Sequence, residues 1–281
     1  MLGKRILTAL ALIPLVLAAL FLLPSRNFGI AILAVILIAA HEWSRLAAFS
    51  TGVQWLFFGG LLVGGAGLLF LPASGFGRGW PPAIVLSVCG MSALFWLLVA
   101  PSWIKHRWPT TGKWAMVITG WIVLLGAWMA LVELQSRSPW LVLAAMAIVW
   151  IADTAAYFSG RAFGTRKLAP QISPGKTWEG VYGGLVAVAI YALCILPFAR
   201  DAGFGPAMGA LVVTLWLGFS LLMAGLSVIG DLFESLQKRH AGVKDSGKLL
   251  PGHGGVLDRI DALLAAMPFA ALAAQLFLAK A

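Results

Sequence analysis

The chain has 281 residues, of which 61% are hydrophobic and 11% charged, with a mean hydropathy of +0.94. That composition excludes an ordinary soluble domain, and apolar runs recurring from end to end mark a polytopic membrane protein. The net charge of +10 does not imply nucleic acid, because no soluble basic domain carries it; orientation in a bilayer accounts for it better. Cys89 and Cys194 sit in apolar runs without CxxC spacing. They read as small core residues and argue against a disulfide framework or a zinc site.

Segments long enough to cross about 30 Å of hydrocarbon fall at 6–23, 28–47, 54–72, 83–100, 115–133, 140–160, 180–198, 206–230 and 258–279. The expected fold is therefore all-α, a single transmembrane domain over 1–281 with about nine spans. Lys4 and Arg5 precede the first run, as in a signal peptide, but no small-x-small site lies before Pro24 and further spans follow, so a retained helix is expected. The glycines and prolines of 73–82 separate the third and fourth spans.

Fifteen of the twenty lysines and arginines fall on one face: Lys4, Arg5, Arg45, Lys105, Arg107, Lys113, Arg161, Arg166, Lys167, Lys176 and five in the last loop. Arg26, Arg78, Arg137, Arg200 and Lys280 fall on the other. The positive-inside rule places the N-terminus in the cytoplasm, together with the loops 161–179 and 236–257. Trp55, Trp80, Trp103, Trp108, Trp114 and Trp140 near span ends read as an interfacial belt. Residues 1–135 read mainly as scaffold and 136–281 as the half that carries the chemistry. In the first half His41-Glu42-Trp43 is the exception: it lies within reach of a site, with interfacial capping the preferred role.

Two segments hold the polar groups that merit a chemical reading. In the first, Asp153, Thr154 and Tyr157 are spaced to present one helical face to the bundle interior. An intramembrane aspartate is a functional candidate by default, with a structural ion pair as its alternative. Downstream, Ser173-Pro-Gly-Lys176-Thr177 combines a turn, hydroxyls and a lysine ahead of a helix start, which suits phosphate. It lacks the glycine spacing of a Walker A loop.

The second segment is denser. Asp231, Ser235 and Lys238 lie at i, i+4 and i+7 on one helical stripe, and Asp258 and Asp261 share a face of the last helix. Between them runs a glycine-rich loop with Arg239, Lys244, Asp245 and His253. If the two helices are neighbours, Asp231 meets Asp258 or Asp261, and converging carboxylates call for a hard cation such as Mg²⁺ with substrate phosphates completing its shell. The alternative is a salt-bridge network of Asp258 and Asp261 with Arg259 and Lys238.

The second segment resembles the signature of the phosphatidate cytidylyltransferases (CDP-diacylglycerol synthases). The matching residues are Ser235, Lys238-Arg239, Lys244-Asp245, Pro251-Gly252-His253-Gly254-Gly255 and Asp258-Arg259-Ile260-Asp261. Asp153 to Tyr157 and Ser173 to Gly180 are similar to the family as well, whereas the N-terminal half shares only its hydrophobicity and the pair Glu42-Trp43. The resemblance implies that CTP and phosphatidate give CDP-diacylglycerol and pyrophosphate. It also implies Mg²⁺, a second cation such as K⁺, an all-helical membrane fold, a homodimer, and a site on the cytoplasmic face of a bacterial inner membrane.

On that reading Asp231 and Asp258 hold the metal, supported by Asp261 or Asp245. Lys238, Arg239, Lys244 and Arg259 neutralise the triphosphate, and Ser235 and His253 donate to phosphate. Lys176, with Ser173, engages CTP or the lipid phosphate. Two other classes stay in view. An anion transporter would show inverted repeats and broken midplane helices, and a polybasic lipid-binding loop would tolerate loss of its carboxylates. The Asp-Gly-x-x-Ala-Arg motif of CDP-alcohol phosphotransferases is missing.

Overall fold

Each of the nine expected spans falls on a helix in the computed structural model, which describes residues 2–70, 80–110, 112–201, 209–249, 252 and 254–277. In chain order these are α1 (Leu2–Leu22), α2 (Ser25–Leu46), α3 (Thr51–Leu69), the rod α4–α5, α6 (Lys113–Arg137), α7 (Pro139–Phe163), α8 (Trp178–Asp201), α9 (Ala210–His240) and α10 (Leu257–Phe277). Seven of them, α2 to α9 with α4–α5 as one rod, are long and apolar enough to cross a membrane, judged on the described residues. The chain is an all-helical membrane protein.

The rod α4–α5 comprises α4 (Pro82–Leu94), a π turn over Phe95–Val99 and α5 (Ala100–His106). Pro101 explains the π turn: its ring displaces the carbonyl four residues back and it has no N–H to donate, so the ladder widens there. Phe95 and Trp96 from this turn, with Trp43 and Trp103, surround Phe233 of α9 at ring centroid distances of 6.2 Å (Trp43), 5.5 Å (Phe95), 5.6 Å (Trp96) and 5.6 Å (Trp103). That aromatic cluster locks the C-terminal third of α9 against α2 and the rod.

α10 runs through the centre, packed on α9, α6, α4 and α7, with Ala262 to Ala271 almost wholly buried. It crosses α9 closely at Gly230, where a Cβ would stand 2.5 Å from the Asp261 carbonyl oxygen. Only glycine permits that approach, and it brings the next residue, Asp231, beside Asp261. The 31 residues of α9 span about 46 Å at 1.5 Å per residue, so the stretch from Asp231 to His240 extends past the hydrocarbon.

The helix ends sort into two faces. At one, Trp43 of α2 donates to the Met116 carbonyl of α6 (3.1 Å), Gln54 of α3 donates to Ser44 (2.9 Å), and Arg107 after α5 pairs with Gln171. At the other, Glu133 of α6 is fully buried and accepts from Arg137 Nε, Gln275 Nε2 and the Trp80 N–H, each at 3.0 Å. Removing this charge from between its donors should cost about 3 kcal/mol. Glu133→Gln is therefore expected to lower the thermal midpoint in detergent and leave the turnover of the folded protein intact; an unchanged midpoint would argue against the network.

Several expectations are corrected. The loop after α7 contains an antiparallel hairpin, β1 (Lys167–Ala169) and β2 (Ser173–Thr177), so Ser173-Pro-Gly-Lys176 is an extended strand rather than a turn. Pro174 is tolerated because a two-stranded ribbon leaves one edge of each strand unpaired. Trp80 and Trp103 are buried, with indole N–H groups bonded to the Leu68 and Trp108 carbonyls, and so are not belt residues; Trp55, Trp108, Trp114 and Trp140 are exposed as a belt requires. Cys89 is buried but Cys194 is exposed. Asp153, Thr154 and Tyr157 open to the surface of α7 instead of the bundle interior.

Candidate active site

Four elements meet where α9, α10, the hairpin and α2 end together. Lys176 on β2 reaches α9 and sets its ammonium 2.6 Å from Asp231 Oδ2, while Ser235 Oγ, one turn on, donates to Asp231 Oδ1 at 3.2 Å. The expected stripe of Asp231, Ser235 and Lys238 thus forms, with Asp231 one-third exposed and Ser235 buried. Asp261 and Asp153 lie within electrostatic range of both Asp231 and Lys176. Three carboxylates and one lysine therefore lie within electrostatic range of one another.

Asp258 sits beside that group under different control. Its Oδ1 accepts from Lys238 Nζ at 2.6 Å. Its Oδ2 accepts from the Gly255 N–H at 2.8 Å and from the Ser246 N–H at 2.9 Å, and it lies 2.9 Å from Ser246 Oγ, whose single proton it shares with Glu42. Lys238 also pairs with Glu234 one turn earlier, so one nearly buried ammonium bridges two nearly buried carboxylates. The sequence left open whether Asp231 meets Asp258 or Asp261. In the structure Gly230 brings it beside Asp261, and Asp258 follows three residues earlier on the same helix.

The remaining candidates fall around this centre. Arg239 is exposed and ties the hairpin to α9 by donating from Nε to the Ile172 carbonyl at 3.0 Å. Lys244, Asp245 and Arg259 are exposed, and Ser173 is half-buried in β2. His253 and Pro251 lie outside the described residues, as do Arg78 and Lys280. Part of the Ser173–Gly180 motif is local architecture. Thr177 Oγ1 accepts from the Gly180 N–H at 3.2 Å as an N-cap of α8. Glu179, in the first turn of α8, accepts from Thr165 and from Arg166, whose guanidinium is held charged above its ordinary pKa by that hydrogen bond.

Carboxylate oxygens suit a hard divalent cation, and Asp231 on α9 presents a partly exposed one beside Lys176 of the hairpin with Asp261 of α10 in range. A complete protein cage is not preformed, since among the described residues no three His, Cys, Asp or Glu side chains stand close enough to hold a metal. Mg²⁺ is typically bound through one or two carboxylates with phosphate oxygens and water filling the remainder, so the partial set is the fitting one.

Glu234 was not singled out in the sequence, although its i, i+4 spacing to Lys238 is a legible signal. Glu42 was placed within reach of a site with interfacial capping preferred; it is 4% exposed and bonded to the loop between α9 and α10.

Known proteins share this arrangement of sequence. Residues 3–277 match the model of the cytidylyltransferase family. The phosphatidate cytidylyltransferase of Pseudomonas aeruginosa is 42% identical over 97% of this chain and 97% of its own. That of Haemophilus influenzae is 37% identical over 96% of this chain and 97% of its own, and that of Brucella suis is 36% identical over 85% and 81%. Matched over nearly its whole length, with clustered carboxylates and lysines at one end of its helical bundle, the chain belongs to the cytidylyltransferase family and is a nucleotidyltransferase.

Proposed function

We propose that the protein is a phosphatidate cytidylyltransferase of a bacterial inner membrane, working at the cytoplasmic face. The observation that carries this reading is the pairing of Lys176 with Asp231 and of Lys238 with Asp258 (2.6 Å each) at one end of a membrane bundle. Carboxylates and ammonium groups so interleaved suit a metal-bound triphosphate meeting a lipid phosphate.

An oxygen of the phosphatidate monoester attacks the α-phosphorus of CTP in line. One P–O bond forms, the bond to the β-phosphate breaks, and pyrophosphate departs with its electron pair. The attacking phosphate is already anionic, so no general base is required. Asp231 and Asp258, with Asp261 in support, would hold Mg²⁺, which would neutralise phosphate charge, and K⁺ would be a second cation suited to such oxygens. Lys176 and Lys238 exchange their carboxylate partners for phosphate oxygens as substrate binds. Arg239, Lys244 and Arg259 balance the charge developing on pyrophosphate, with Ser235 as a phosphate donor. A homodimer is the assembly in which we place this activity.

Pyrophosphate release tests the reading. Purified protein in detergent is expected to release pyrophosphate only when CTP, Mg²⁺ and phosphatidate are all present, and to stop on adding EDTA. Release without lipid, or none from folded protein, would move weight to another phosphate acceptor or to a binding role.

A further inference from the structure

Glu42 stands on α2, and the loop it touches begins 204 residues later. Its carboxylate accepts from Ser246 Oγ at 2.9 Å, from the Val256 N–H at 3.0 Å and from the Leu257 N–H at 2.7 Å. The two amides belong to the entry of α10, where backbone donors lack helical partners and an anion is favoured. Ser246 lies within the connection that follows α9 and Val256 ends it, so one side chain ties the loop to the entry of α10. The same Ser246 donates to Asp258 from its backbone N–H (2.9 Å). Fixing Ser246 therefore fixes the orientation of Asp258.

The loop is shaped to admit this carboxylate. A Cβ on Gly247 or on Gly255 would overlap the Glu42 oxygens, so glycine at both positions leaves the space the side chain fills. The other buried glutamates are met by cations: Glu133 by Arg137, Glu234 by Lys238. Among the described residues no lysine or arginine forms an ion pair with Glu42. Three donors converge on both carboxylate oxygens, an arrangement that a carboxamide, with one acceptor oxygen and one donor group, cannot satisfy.

We propose that Glu42 is a positioning residue for nucleotidyl transfer, holding Ser246 and the entry of α10 in the register that orients Asp258 and Lys238. The inference rests on the reading under Proposed function, and it joins the second helix of the chain to the site built by the last two.

Glu42→Gln, made in the full chain and purified in detergent, turns one acceptor into a donor facing Ser246 and the α10 amides. The expected result is a fall in kcat/KM for CTP of about 10–100-fold, as for partners that orient metal ligands, carried mainly by kcat. Amide hydrogen exchange at Val256 and Leu257 should accelerate in the same variant. Glu133→Gln serves as comparator, lowering the thermal midpoint without changing kcat/KM of the folded protein. Should Glu42→Gln fail to accumulate in the membrane, Glu42→Asp keeps the charge but shortens the reach to the Val256 and Leu257 amides, and is expected to give a smaller loss of the same kind with faster exchange at both.

A value of kcat/KM within about twofold of wild type, or unchanged exchange at the two amides, would overturn the proposal. Absence of pyrophosphate release from the wild-type protein would instead defeat the functional reading, and the exchange measurement would still decide the role of Glu42.

Discussion

Asp258→Asn is expected to reduce pyrophosphate release to about a thousandth of wild type or less, while the protein stays folded in the membrane. The carboxylate serves two demands at once. Oδ1 faces the Lys238 ammonium, and Oδ2 gathers the amides of Gly255 and Ser246. Asparagine keeps one carbonyl oxygen for the loop, so the backbone bonds survive and the fold is retained. It removes the negative charge that pairs with Lys238 and that the proposed divalent cation would need, and it sets an amide donor against a donor. The check is turnover with saturating CTP, phosphatidate and Mg²⁺, beside the thermal midpoint. Near-normal turnover would remove Asp258 from the metal site, and a collapsed midpoint would assign it to folding instead.

Lys238→Met should produce the largest loss of stability among these substitutions. The Lys238 side chain is 12% exposed and lies between Glu234 and Asp258, each 5% exposed. Methionine preserves the length and apolar stem of the side chain and removes only the ammonium. Two nearly buried carboxylates would then face each other without a counter-charge, at a cost of about 3–5 kcal/mol. The thermal midpoint in detergent should fall accordingly, and turnover should vanish. Adding Glu234→Gln removes one of the stranded charges and should restore part of the midpoint but not the turnover, because the triphosphate still lacks its cation. A single variant as stable as wild type would show that the bridge contributes nothing to the fold.

The C-terminal signature was legible because it is local. Asp231, Ser235 and Lys238 needed only helical periodicity to share a stripe, and they do. The hairpin was missed because Lys167-Leu-Ala is too short to show an alternating pattern and Pro174-Gly175 argues for a turn. Asp153 shows a different failure. Helical spacing fixed which residues lie on its face but not which way that face points, and it opens to the surface while staying in range of Lys176 and Asp231. Trp80 was read as a belt residue because it borders a span, yet its backbone N–H serves Glu133 and its indole serves Leu68.

Composition and hydropathy alone determined the membrane class, the approximate limits of the spans and the end that gathers the charges, since each is a property of consecutive residues. Which helices touch was decided by the tertiary structure. In a bilayer the lipid-facing and core-facing sides of a helix are both apolar, so the amphipathic stripe that betrays packing in a soluble protein is faint. The pairing of Asp231 with Lys176 and of Asp258 with Lys238 depends on the close crossing at Gly230 and on a hairpin docked through Ile172. The reach of Glu42 to Ser246, Val256 and Leu257 depends on α2 lying beside the entry of α10, a relation across more than two hundred residues that no local pattern encodes.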